Sequence, residues 1–237
     1  MKYSLLVLLY FQTTLLFAKC LQVDYDSGPN KVAVIELYTS EGCSSCPPAE
    51  AWLNSLQSHP GLWKEFIPLA FHVDYWNYLG HHDTLASREF SQRQRAYAQE
   101  WKQNNVYTPE FILNGHEWRS SFARQLPSAK MPEQSLKVKH QGGGKFLIRS
   151  HLDQGLAHAV LIHNNIRHEI KAGENKGKIL KHWFVVKEHK VANLRAGDAM
   201  IDLDVTGTDS GDWAVAFWTS EKNSLTPIQA TAGCLKN

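Results

Sequence analysis

The chain has 237 residues, and its 25 Lys and Arg against 23 Asp and Glu leave a formal charge of only +2. That balance gives no footing for nucleic acid or for a strongly acidic substrate. With 43% hydrophobic residues there is ample material for one large domain or two small ones.

Met1 to Ala18 carries Lys2, then apolar runs at Leu5–Leu9 and Leu15–Phe17. This reads as a secretory signal peptide cut after Ala18. Gln12, Thr13 and Thr14 interrupt it, which argues against a membrane span, and no later segment is long and apolar enough for one. Cys20 raises a lipoprotein reading, but Lys19 stands where a lipobox wants a small residue. The expected location is therefore secreted or periplasmic, where disulfides persist.

Val32 to Leu37 is a partly β-branched apolar run of the kind buried on both faces of a sheet. Thr39 to Ser45 is a turn, and Cys43-Ser44-Ser45-Cys46 leads into a helix with Pro47 and Pro48 in its first turn. A helix N-terminus favours a thiolate and can bring a cysteine pKa from about 8.5 to roughly 3.5–7.5. The expectation is that Cys43, more exposed at the helix tip, attacks and Cys46 resolves. A static structural disulfide remains open, as does a copper(I) site using both thiols and a histidine such as His72. A zinc site lacks its second pair of ligands.

His59-Pro60-Gly61 stops the helix, and Phe66 to Asp74 is the next strand, parallel to the first. Its end places His72, Tyr75 and Trp76 near Cys43. Thr84 to Gln103 reads as a helix with an apolar stripe of Phe90, Tyr97 and Trp101; Arg88, Arg93 and Arg95 read as its solvated face. Val106 to Gly115 is a turn into a strand, with Pro109 at its start and an Asn-Gly signal at its end.

Together these pieces resemble the thioredoxin fold. The resemblance implies a cis Pro109 beside the disulfide, with the backbone of Thr108 pairing with a bound substrate chain. It also sets Glu36 near the place of a buried acid that assists proton transfer, with one residue more than usual between it and Cys43. Tyr75, Trp76 and Tyr107 would line the substrate groove. A narrower resemblance covers nearly the whole mature chain. ELYTSEGCSSCPPAEAWL, FHVDYWNYLG, SQRQRAYA, VYTPEFILNG and GENKGKIL are similar to the secreted bacterial family called domain of unknown function 1223. That family implies a thioredoxin-like domain with an added β-rich portion and leaves the reaction unassigned. His81-His82 stands where its members tend to have Trp and Lys, so no role is carried there.

Pro127, Pro132 and Gly142-Gly143-Gly144 mark 127–145 as a linker. After it, KFLIRSHL, LAHAVLIHNN, HWFVVKEHKV, AMIDLDV and DWAVAFWTS are short β-type runs. The expected architecture is thus α/β: a thioredoxin-like domain over 19–126, then a smaller antiparallel sandwich or half-barrel over 146–237. Histidines there, His158 and His163 included, read as ordinary. With Cys43 and Cys46 assigned to each other, Cys20–Cys234 is the complementary disulfide. The expected function is thiol–disulfide exchange on protein or peptide thiols, served by a redox partner protein. Neither cofactor nor metal is assigned in that reading. The alternatives are the copper module and a binding domain with a redox-inert disulfide.

Overall fold

The computed structural model describes residues 24–119, 126 and 133–235. The expected signal peptide and Cys20, and with it the Cys20–Cys234 bridge, lie outside the described residues. Among those residues the fold is mixed α/β, with fourteen strands and two α-helices.

The short β1 (Asp24–Asp26) precedes β2 (Ala33–Thr39), whose seven residues are all buried. Helix α1 (Pro47–Ser55) follows, then β3 (Phe66–His72), parallel to β2 from Ala33 opposite Phe66 to Thr39 opposite His72. Helix α2 (Arg88–Glu100) starts four residues later than its periodicity suggests, because the Ser87 hydroxyl caps it by accepting from the Glu89 N–H. β4 (Glu110–Leu113) pairs antiparallel with the other edge of β2, and β5 (His116–Glu117) turns back on β4. The Thr108–Pro109 peptide is cis, as expected.

The rest is strand: β6 (Lys137–Gly142), β7 (Lys145–Arg149), β8 (Gln154–Asn164), β9 (Ile166–Glu169), β10 (Ile179–His182), β11 (Val185–Arg195), β12 (Asp198–Asp202), β13 (Asp212–Ser220) and β14 (Ala230–Cys234). β11 hydrogen-bonds along most of its length to β8 and, at Val185, runs parallel to β3 opposite Ala70. That contact joins twelve strands into one sheet; β9 and β10 form a separate two-stranded sheet. One apolar cluster accordingly mixes Ile35, Leu69 and Phe71 with Ile162, Phe184 and Trp218, while a second packs Tyr25 with Phe146 and Phe217. Among the described residues no helix is long and apolar enough to cross a membrane.

Two local expectations need correction. The segment read as the end of a linker is a hairpin: β6 and β7 pair, Gly142 opposes Lys145, and Gly143 and Gly144 form the turn at φ 58° and 84°. Two positive φ values in a two-residue turn explain the glycines better than flexibility does. HWFVVKEHKV is not one strand, because Trp183 and Phe184 break it into β10 and β11, with Phe184 at φ 62°.

Gly144 gives a test of the hairpin. A Cβ there would collide with the Leu203 carbonyl oxygen, whose own N–H donates to the Gly144 carbonyl. Gly144→Ala is expected to cost at least about 1–2 kcal/mol from the left-handed backbone alone, with the clash in addition. Denaturant unfolding should show a lower midpoint at unchanged slope; an unchanged midpoint would contradict the turn geometry.

Candidate redox site

β2 ends buried at Thr39, and the chain then turns through Ser40, Glu41 and Gly42, all buried, into Cys43. The Cys43 N–H donates to the Ser40 carbonyl at 3.1 Å, and the Cys46 N–H to the Cys43 carbonyl at 3.2 Å. Cys46 caps α1, accepting at its carbonyl from the N–H groups of Ala49 and Glu50. Cys43 and Cys46 are joined in a disulfide with Cα atoms 5.4 Å apart. Pro47 and Pro48 contribute no N–H groups, so what α1 offers a Cys43 thiolate is mainly its dipole. The Ser45 hydroxyl, 3.3 Å from the Cys43 sulfur, adds a direct donor.

Cys43 is not the exposed tip expected from the sequence. Cys43 is 1% exposed and Cys46 0%, while Ser44 and Ser45 between them face solvent. Three segments close around the turn. The Thr108 carbonyl oxygen stands 3.8 Å from the Cys43 sulfur, and the Thr108 hydroxyl accepts from the Trp76 indole N–H at 2.7 Å. Gly42 permits that approach, since a Cβ there would press on Trp76 at 3.1 Å. From the loop between β9 and β10, Asn175 donates to the carbonyls of Glu41 and Cys43, and Glu174 accepts from the Ser44 N–H. The GENKGKIL stretch thus acts on the cysteine turn from a distant part of the chain.

The other expected groove residues gather around Gln94. Its amide donates to the Tyr107 carbonyl and to Glu110, and its side-chain oxygen accepts from the Tyr75 hydroxyl. Tyr107 is 41% exposed and donates to Glu117, and Tyr78, 78% exposed, stacks near Trp76. Glu36 is elsewhere. It shares a face of β2 with Tyr38, and its carboxylate accepts from Arg93, Tyr38 and Tyr97. Arg93 is therefore buried rather than on a solvated face.

The acid on the cysteine side is Glu50, one turn into α1, hydrogen-bonded to Thr39. It opens into a buried cluster the sequence did not reveal. His182 at the end of β10 bridges Glu50 at 2.6 Å and Glu41 at 3.0 Å. Glu41 also meets His81 and His168, at 2.8 and 2.7 Å. His72 at the end of β3 meets Asp83 at 2.8 Å, and Asp83 accepts from the Glu41 and Leu85 N–H groups. Burial alone would lower the His182 pKa, but its bonds to Glu41 and Glu50 outweigh this and raise it to about 10. Burial likewise acts to raise Glu41, Glu50 and Asp83; the facing histidines and N–H donors hold all three below the ordinary carboxylate range. His72, the histidine considered for copper(I) with the thiols, falls in a potential ligand group with Glu50 and His182. Of this cluster the sequence pointed to His72, at the end of its strand, and set Glu41 and Glu50 beside the cysteines within one motif; nothing in it pointed to His168 or His182.

Glu110, next to Pro109, shows the opposite shift. Burial pushes its carboxyl up to about 7 from an ordinary 4.5. Between those pH values the unfolded chain releases this proton and the folded chain keeps it, so stability falls as pH rises from 4.5 to about 7. Glu110→Gln, which keeps the bond from Gln94 available, should remove that part of the slope in thermal unfolding. A variant that tracks the parent at every pH would refute the assignment.

A family model described as "Protein of unknown function (DUF1223)" matches residues 34–219. Two solved structures share the fold. Protein AGR_C_4864 from Agrobacterium tumefaciens is 23% identical, with 86% of this chain and 93% of that one covered, at a TM-score of 0.59. HBP35 of Porphyromonas gingivalis is 16% identical, with 88% and 76% covered, also at 0.59. No curated protein matches.

Proposed function

Since the chain belongs to the DUF1223 family, which carries no assigned reaction, we propose its function from the site itself: thiol–disulfide exchange on protein or peptide thiols through Cys43 and Cys46. The reading takes 19–126 as a thioredoxin-like unit and 146–237 as a β-rich portion that braces the cysteine turn. It also takes the protein as exported after loss of residues 1–18, into a compartment that tolerates disulfides. The observation that carries it is the disulfide at the N-terminus of α1, directly after buried β2, with the Thr108 carbonyl 3.8 Å from the Cys43 sulfur.

In the reduced protein the Cys43 thiolate, favoured by the α1 dipole and the Ser45 hydroxyl, attacks one sulfur of a substrate disulfide. A mixed disulfide forms and the other substrate sulfur leaves as a thiolate. Cys46, deprotonated, then attacks the Cys43 sulfur, re-forming the Cys43–Cys46 bond and releasing the second substrate thiolate. Two electrons pass from the pair to the substrate, and a dithiol redox partner restores the reduced state. Run in reverse, the same steps oxidise a substrate dithiol. The Thr108 carbonyl and the Pro109 turn would position the substrate backbone, with Trp76, Tyr75 and Tyr107 at the groove's side. Because both sulfurs are buried, a substrate must part the cover of Thr108, Trp76 and the 174–175 loop.

A redox titration tests this. The pair should interconvert within the range of about −270 to −120 mV known for exchange-active proteins, and the reduced protein should reduce insulin. A pair that stays oxidised in buffer poised below about −300 mV is a structural bridge, and the proposal fails.

A further inference from the structure

We propose that Glu50, His72 and His182 form a buried site for a divalent transition-metal ion, with Zn2+ as its chemical match. This goes beyond the exchange reaction and does not depend on it. The three residues come from α1, the end of β3 and the end of β10. All are buried, and one ligand atom from each lies within 4.8 Å of the others.

The hydrogen bonding of the two imidazoles carries the argument. His72 binds Asp83 through Nδ1, so Nε2 is the atom left for the cluster. That Nε2 is buried and has no hydrogen-bond partner among the described residues. A buried ring nitrogen without a partner is uncommon, and a missing ligand is one explanation for it. His182 binds Glu41 through Nε2 and turns Nδ1 to Glu50. Each imidazole thus has a carboxylate on its far nitrogen, the arrangement that fixes the tautomer and orientation of metal-binding histidines. The rings lie 5.1 Å apart at 76°, an edge-to-face contact rather than a stack, and it leaves their ligand atoms within 4.8 Å of each other and of Glu50.

Charge and size agree. Asp83, Glu41 and Glu50 set three carboxylates against the two imidazoles, with His81 and His168 also on Glu41, an acidic surround that suits a divalent cation. Zinc bonds of about 2.0–2.2 Å in a tetrahedral site put ligand atoms roughly 3.3 Å apart. The present separations run from 2.6 Å, between His182 and Glu50, to no more than 4.8 Å. The ion would take the place of the proton between His182 and Glu50 and draw in His72. Two imidazoles and a carboxylate suit zinc and its neighbours better than calcium or magnesium, which favour oxygen ligands throughout. The cluster reaches the surface at His168, whose side chain is a third exposed and meets Glu41, which in turn meets His182.

The test uses the full chain with its disulfide intact, stripped with a chelator and titrated with Zn2+. Expected are about one tight ion per chain, loss of that ion in His72→Gln, and its retention in the Cys43→Ser/Cys46→Ser double variant. Asp83→Asn should weaken binding about 10–100-fold through His72. X-ray absorption at the zinc edge on the unmutated protein should show a nitrogen and oxygen shell with imidazole scattering, and it decides the matter if the variants fail to fold. Failure of the unmutated chain to bind, undiminished binding by folded His72→Gln, sulfur in the shell, or loss of the ion with the cysteines would each overturn the site. The last two outcomes would return the metal to the thiols, and none bears on whether the thiols exchange.

Discussion

Cys43→Ser should abolish insulin reduction, lowering the rate by on the order of 10³-fold or more, while the protein stays folded. The rate falls because serine cannot form the mixed disulfide, so no first covalent intermediate exists. Folding survives because the bridge closes a loop with a sequence separation of only 3. In the chain-entropy model so short a loop is worth about 2 kcal/mol, well under the 5–15 kcal/mol of a typical domain. Cys46→Ser should behave differently. It keeps the attacking sulfur and loses the one that resolves, so it should accumulate a mixed disulfide with substrate that mass spectrometry detects. If Cys43→Ser keeps its activity and Cys46→Ser loses it, the roles are reversed. If neither substitution matters, the exchange proposal is wrong.

The assignment of Cys43 and Cys46 rests on features a sequence displays well. A β-branched run, a glycine turn and prolines in a first helical turn are local, and they gave β2 and α1 their places. The Glu36 role failed for an equally local reason. Side chains alternate across a strand, so one extra residue before Cys43 moves the acid to the opposite face. There it meets Arg93, which helical periodicity had set in solvent, because a buried arginine is recognisable only by its partner 57 residues away. The cover over Cys43 and the histidine cluster were out of reach for the same reason. His182 reaches Glu41 across 141 residues and Asn175 reaches Cys43 across 132. The path runs through β11, whose parallel pairing with β3 brings the β-rich part back onto the first sheet. His168 and His182, taken alone in the sequence, look ordinary.

Arg93→Ala should be the most damaging substitution for stability, at about 3–5 kcal/mol, the cost of breaking a buried ion pair by removing one partner. Arg93 donates through Nε at 2.9 Å and Nη2 at 2.8 Å to the two Glu36 oxygens, and both side chains are buried. Without it Glu36 keeps only the hydroxyls of Tyr38 and Tyr97, in a site closed to water. The guanidinium also lies over the rings of Phe71, Tyr97 and Trp218, 5.2 to 5.6 Å from their centres. It therefore fastens α2 to β3 and, through Trp218, to β13. Replacing both partners, as in Arg93→Met with Glu36→Leu, should recover most of the loss, because no buried charge is then left unpaired. Denaturant unfolding of the two single variants and the double variant measures the coupling. Additive losses would show that the pair acts independently and that the packing of Arg93 on the aromatic rings dominates.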